Sequence, residues 1–155
     1  MVYLLFQIGA DRYALEAAGI AAVEPLVRLK RIPQAAAGVA GVADYHGQPL
    51  PVVDLSAMAL GEPSKESLST RLVLVHYRCP DGEERLLGLL AEKATETARY
   101  ENGDFQDPGV AADGSPYLGP VVHDARGIVQ RVEVARLLTP EVRDALWRQA
   151  REAFV

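Results

Sequence analysis

Turn-forming residues interrupt the first 139 positions so regularly that no long helix fits between them. Gly9-Ala10-Asp11-Arg12, His46-Gly47, Pro80-Asp81-Gly82 and Asp124-Ala125-Arg126-Gly127 each read as a tight turn between apolar segments. The segments are short and β-like. Val2, Leu4, Phe6 and Ile8 share one parity, the period-2 signature of a strand, and Tyr13-Ala14-Leu15 returns as the second arm of a hairpin.

The same punctuation continues along the chain. Ile20 to Leu29 is apolar but broken by Pro25, which suits an edge or bent strand, and Pro33 ends it. Ala35-Ala36-Ala37-Gly38 predicts a helical turn capped by Gly38, and Val39–Tyr45 and Gln48–Leu55 predict strands meeting at His46-Gly47. Ser56 to Leu60 predicts one helical turn stopped by Gly61. Glu62 to Ser69 is polar and reads as a mobile loop or a sub-domain boundary. Arg71 to Arg78 is apolar on both parities and turns into a strand over Arg85–Ala91, a weak echo of the opening hairpin. Ala94 to Tyr100 predicts a further strand, Glu101 to Pro116 a long exposed loop, and Tyr117–His123 with Gly127–Val134 a last hairpin. Thr139 and Pro140 then stand as cap and first residue of a helix whose apolar stripe is Val142, Leu146, Ala150 and Phe154. About nine or ten short strands with turn signals every ~8–12 residues predict an all-β barrel or paired barrels. The predicted division is a β domain over 1–139 and a terminal helix over 140–155.

Length and charge narrow the class of function. At 155 residues and 16.8 kDa the chain makes one domain or two small fused ones, with enough buried surface to fold without a metal or disulfide staple. The formal charge is −5, and the basic residues are scattered in sequence apart from Arg28, Lys30 and Arg31, which read as a solvated face, so no nucleic-acid footprint is expected. A single cysteine, Cys79, forbids an internal disulfide and suits a reducing compartment; it sits in a turn with nothing nearby in sequence to activate it. The N-terminal apolar run lacks a basic leader and no segment reaches the ~20 apolar residues of a membrane span, so the expected location is cytoplasmic, without membrane insertion.

Chemistry-bearing motifs are sparse. There is no Gly-rich phosphate loop, no Gly-x-Ser-x-Gly elbow and no His-Glu-x-x-His, and His46, His76 and His123 are too far apart in sequence to advertise a zinc site. No cofactor or metal is expected. Asp44 and Asp54 lie on neighbouring predicted strands and leave open a small β-barrel hydrolase with paired carboxylates, although Asp54 before Leu55-Ser56 is better read as a cap for the following turn. Glu24 beside Pro25 reads as a surface ion-pair partner.

One passage is more specific: Gly41-Val42-Ala43-Asp44-Tyr45-His46-Gly47-Gln48-Pro49-Leu50-Pro51-Val52-Val53-Asp54-Leu55. It resembles the signature of the CheW-like family, coupling proteins of bacterial chemosensory arrays, and the likeness extends along the chain. Phe6-Gln7-Ile8-Gly9 through Tyr13-Ala14-Leu15 is similar to the family's opening hairpin, Val23-Glu24 to its third strand, Leu87 to Glu92 to its Val-Gly-x-x-Val-Asp strand, and Tyr117-Leu118-Gly119 with Ile128–Leu138 to its closing hairpin and short helix. The resemblance implies two intertwined five-stranded SH3-like barrels, no catalysis, and adaptor work between the regulatory domain of a CheA-type histidine kinase and the cytoplasmic tip of a methyl-accepting chemoreceptor. Carried over residue by residue, it assigns Gly41 and Val42 to the kinase face and Glu24 and His46 to the receptor groove. His46 stands where the family usually has Arg, which weakens a Glu24–His46 pair above the imidazole pKa of about 6.5. With Asp44-Tyr45-His46-Gly47 in place of Asn-Leu-Arg-Gly and Glu92 in place of Asp, the departures suggest a divergent array such as the Wsp-type surface-sensing systems. A binding module for an unrelated peptide is the remaining alternative.

Overall fold

The computed structural model describes residues 1–109 and 115–154. Its strands are β1 (Val2–Ile8), β2 (Asp11–Glu16), β3 (Ile20–Pro25), β4 (Val39–Tyr45), β5 (Gln48–Asp54), β6 (Arg71–Arg78), β7 (Glu84–Arg99), β8 (Leu118–Asp124) and β9 (Gly127–Val132). Two helices, α1 (Leu55–Leu60) and α2 (Pro140–Phe154), complete the described α structure. The chain is mostly β with one long C-terminal helix.

β7 organises everything else. Its first half pairs antiparallel with β6 from Glu84 to Ala91 and parallel with β5 at Gly88–Leu90, and its second half pairs antiparallel with β1 from Glu92 to Arg99. In place of two strands over Arg85–Ala91 and Ala94–Tyr100, the chain forms one 16-residue strand. The break in pattern is a bulge. Opposite the two-residue step from Leu5 to Gln7, β7 advances from Glu96 back to Glu92, and Lys93 takes φ 51°. The bulge lets one strand leave one group of partners and join another without a loop.

The pairings thus fall into two sets that share β7. One holds β1, β2, β8, β9 and the second half of β7; the other holds β3, β4, β5, β6 and the first half. The sets interleave in sequence because the first two and the last two strands belong together, β2 running parallel to β9. Each set has its own cluster of buried side chains: Tyr3, Leu5, Ala14, Tyr100, Val122 and Val129 in the first, and Ala43, Leu50, Val52, Leu72, Leu74 and Leu90 in the second. A third, larger cluster joins the two. Because side chains alternate across a strand, β1 sends Tyr3 and Leu5 to the first cluster and Leu4, Phe6 and Ile8 to the joint one, and β6 divides Leu72/Leu74 from Val73/Val75/Tyr77 in the same way. Apolar residues on both parities are the consequence.

Three local expectations are corrected. The strand from Ile20 stops at Pro25, and Leu26 to Leu29 leave the ladder before Lys30 bridges to Val42. Ala35–Gly38 makes turns rather than a helical turn: Gly38 is left-handed at φ 91°, and its carbonyl accepts the Asp54 N–H at 2.8 Å instead of closing a helical hydrogen bond. Glu62–Ser69 marks no boundary between the sets, since β6 beyond it pairs with β3 in the same set, and Ser64 and Thr70 tie it down through bonds to Asp54 and to the Lys65 carbonyl. Of the loop expected over Glu101–Pro116, residues 110–114 lie outside the described residues. The part before them carries a single turn at Asn102–Asp104 and a bridge from Gln106 to Val121.

The terminal helix behaves as its stripe predicts. Thr139 Oγ1 accepts the Val142 N–H at 3.3 Å, Leu146 and Ala150 are fully buried, and Val142 and Phe154 are half-buried. Trp147 locks the far side by donating its indole N–H to the Leu86 carbonyl at 3.0 Å and packing its ring 5.5 Å from that of Tyr77.

Candidate functional site

The β4–β5 hairpin carries most of the residues singled out by sequence. Its loop is the two residues His46 and Gly47, at φ 51° and 82°, the type I′ geometry whose twist matches the flanking strands. Asp44 supports the turn by accepting the Gly47 N–H at 2.8 Å, and the exposed His46 ring packs edge-on against Tyr45 with centroids 4.3 Å apart. The left-handed residue at position 46 is therefore a histidine held by its neighbour.

Gly41 has a different job. Lys30 and Val42 exchange two backbone hydrogen bonds of 2.9 and 2.7 Å, which join the segment after β3 to β4 and make the second set of strands a continuous hydrogen-bonded circuit. At Gly41, φ is 148°, and a Cβ placed there would lie 2.4 Å from the Lys30 carbonyl oxygen. Only glycine permits that approach. Val42 follows with its side chain 3% exposed in the joint core and its N–H and carbonyl both bonded to Lys30, and Gly41 and Ala43 are buried beside it, so solvent meets the neighbours of this stretch.

Glu24 lies on β3 opposite Leu72, and His46 at the tip of the β4–β5 hairpin. No ion pair or hydrogen bond joins them among the described residues. The contact implied by the family pattern is not formed, and the His46 ring packs on Tyr45.

Asp44 and Asp54 do not form a carboxylate pair. Asp44 is opposite Pro49 at one end of β5 and Asp54 closes the other, about 16 Å along the strand. Asp54 is 4% exposed, and both its oxygens are occupied: Oδ1 accepts from Ser56 N, Ala57 N and Ser64 Oγ at 3.0, 3.3 and 2.6 Å, and Oδ2 from Ser64 N at 2.8 Å. It caps α1 and pins the following loop, and has no oxygen free for acid–base work. The hydrolase alternative is not favoured.

Between the two sets lies an apolar groove of ≈ 440 Å³, lined among others by Val39, Met58, Tyr117, Leu137 and Val142. Glu24 and His46 are not among its lining residues. The groove is assembled from distant stretches: the lead-in to β4, α1, the segment before β8 and the entry to α2.

A protein-family model, the CheW-like domain, matches residues 2–141. The chain belongs to the CheW-like domain family. The crystal structure of the scaffolding protein TtCheW from Thermoanaerobacter tengcongensis superposes with a TM-score of 0.78 at 16% identity, covering 91% of this chain and 89% of that one. At that identity the likeness establishes the fold. No curated protein gives a significant match.

The strongest electrostatic feature of this CheW-like chain was invisible in the sequence. Arg12 grips Asp124 bidentately at 2.8 Å for each hydrogen bond, across 112 residues, while Tyr100 Oη and the Arg126 N–H donate to the same carboxylate at 2.9 and 2.8 Å. Above all the Arg12 hydrogen bonds, and then those from Arg126 and Tyr100, hold the Asp124 carboxyl well below the usual carboxylate range against the opposing effect of burial. Burial and Asp124 together push the Tyr100 hydroxyl up. The network ties the β1–β2 turn to the β8–β9 turn. Both partners stand at strand ends beside turns, where charged residues are ordinary, so no local signal marks them.

A pH dependence follows. Because the folded pKa of Asp124 is below its unfolded value near 3.9, the stabilisation is complete above about pH 4 and is lost as pH falls toward the folded value. Asp124 is 26% exposed, and solvent screening places the loss on Arg12→Met at about 2 kcal/mol near pH 7 rather than the 3–5 of a fully buried pair. Urea denaturation at pH 7 and pH 3 tests this: the difference between wild type and Arg12→Met should shrink at the lower pH.

Proposed function

We propose that this CheW-like chain is a non-enzymatic adaptor that couples a CheA-type histidine kinase, through its regulatory domain, to the cytoplasmic tip of a methyl-accepting chemoreceptor. The observation that carries the reading is the family match over nearly the whole chain, residues 2–141. The apolar groove between the strand sets supports it, since a helical hairpin docks by laying an apolar stripe into such a cleft. The β4 segment at Gly41 and Val42 is assigned to the kinase face, where these two buried residues shape the surface that their exposed neighbours present. Glu24 and His46 are assigned to the receptor side as separate polar contacts. No helix among the described residues is long and apolar enough to cross a membrane, and an adaptor reading places the chain on the cytoplasmic side with its partners.

Calorimetric titrations of the whole chain against a CheA-type regulatory domain and against a receptor-tip hairpin test the proposal. Micromolar binding to both is expected. Val42→Ala should weaken the kinase arm alone, and Glu24→Lys with His46→Glu the receptor arm alone, with thermal melts showing that each variant folds. No heat with either partner up to about 100 μM would overturn it.

A further inference from the structure

Three arginines of α2 and one of β7 come together in space. Arg85 from β7 and Arg143, Arg148 and Arg151 from α2 line one groove of ≈ 300 Å³ between the β6–β7 turn and the terminal helix, together with Pro80 and Trp147. Asp81 holds Arg85 at 3.3 Å and Asp144 holds Arg143 at 3.2 Å. Arg148 and Arg151 make no ion pair among the described residues, which leaves the groove with two uncompensated positive charges on a chain whose formal charge is −5. Local charge opposite to the global one concentrates anions at that spot.

From these residues we infer a docking groove for an acidic peptide segment of a partner protein. The spacing of the arginines selects this occupant. Arg143 and Arg151 are separated by about 12 Å along the helix axis and Arg85 adds a charge from β7, so the positive charge is spread along the groove, as carboxylates spaced along a peptide require. Guanidinium groups pair bidentately with carboxylates, and the faces of Pro80 and Trp147 supply apolar surface for side-chain stems. The groove shares Arg143 with the apolar groove offered to the receptor, so its test varies Arg148 and Arg151, which line this groove and not that one.

Trp147 is the only tryptophan in the chain and lines the groove, so its fluorescence and its indole N–H resonance report occupancy directly. The whole chain is titrated with hexaglutamate, with hexalysine and with inorganic pyrophosphate, at low salt and at about 150 mM salt. Saturable Trp147 shifts with hexaglutamate, weakened by salt and absent with hexalysine, are expected. Arg148→Glu with Arg151→Glu should raise the Kd at least about tenfold, and Arg148→Gln with Arg151→Gln should do so to a lesser degree. Arg28→Glu with Arg31→Glu, a charge-matched change of which Arg28 lines a different groove, should leave binding intact. Three results would each overturn the inference: no saturable Trp147 shift, equal loss in the Arg28/Arg31 variant, or a response to pyrophosphate without one to hexaglutamate.

Discussion

Gly41→Ala is expected to lower stability by about 3–5 kcal/mol, which for a chain of this length lowers Tm by roughly 8–16 °C. The added Cβ would lie 2.4 Å from the Lys30 carbonyl oxygen and 3.1 Å from its carbon, and Leu29 Cβ stands 3.3 Å away. The obstructing atoms are backbone, and the oxygen is already committed to the Val42 N–H at 2.7 Å, so no side-chain rotation relieves the clash. Either β4 shifts and both Lys30–Val42 hydrogen bonds are lost, at about 1 kcal/mol each, or the strain of a non-glycine residue at φ 148° is retained on top of the contact. Thermal denaturation and hydrogen exchange at the Val42 amide check the prediction. The variant also separates two roles for Gly41. Unchanged Tm with lost kinase binding would mean that glycine serves the partner, whereas a large drop in Tm with protection lost at Val42 means that it serves the closure of the strand circuit.

Asp54→Ala is expected to cost about 3 kcal/mol, and Asp54→Asn somewhat less. Removing the carboxylate deprives α1 of its cap, worth about 1 kcal/mol, and leaves the Ser64 N–H and hydroxyl without their acceptor in a site that is almost fully buried. Asparagine keeps one acceptor oxygen but turns its amide toward donors. Urea denaturation measures the loss, and the amides of Ser64 and its neighbours should exchange faster than the core strands in either variant. A hydrolytic role for Asp54 predicts the opposite pattern, stability kept and an activity lost, because catalytic carboxylates are commonly held at the expense of stability.

Local physics made much of the β framework legible. The period-2 pattern of β1, the apolar parities of β6 and the His46-Gly47 turn report side-chain alternation and left-handed backbone, which depend on residues next to one another. Asp54 and Gly61 read correctly as the cap and stop of α1, and Thr139 as the cap of α2, for the same reason: the bonds they make span only a few residues. The candidate site was legible in a more limited sense. The passage from Gly41 to Leu55 stood out, yet its residues turned out to hold the fold in ways that sequence does not display. Gly41 is demanded by Lys30 through a bridge, Asp54 by Ser64 through a loop, and Glu24 and His46 are not joined by any bond.

The order of residues by itself determined a mostly β chain of short strands, its principal turns, its terminal helix and its membership of the CheW-like family, because each rests on alternation, turn chemistry or a contiguous motif. Only the tertiary structure decided that β7 runs unbroken through a bulge to serve two sets of strands, that Arg12 meets Asp124 across 112 residues, and that Arg85 of β7 shares one groove with three arginines of α2. Those arrangements depend on which distant segments pack together, and packing free energy is spread over many weak contacts that leave no mark at any single position.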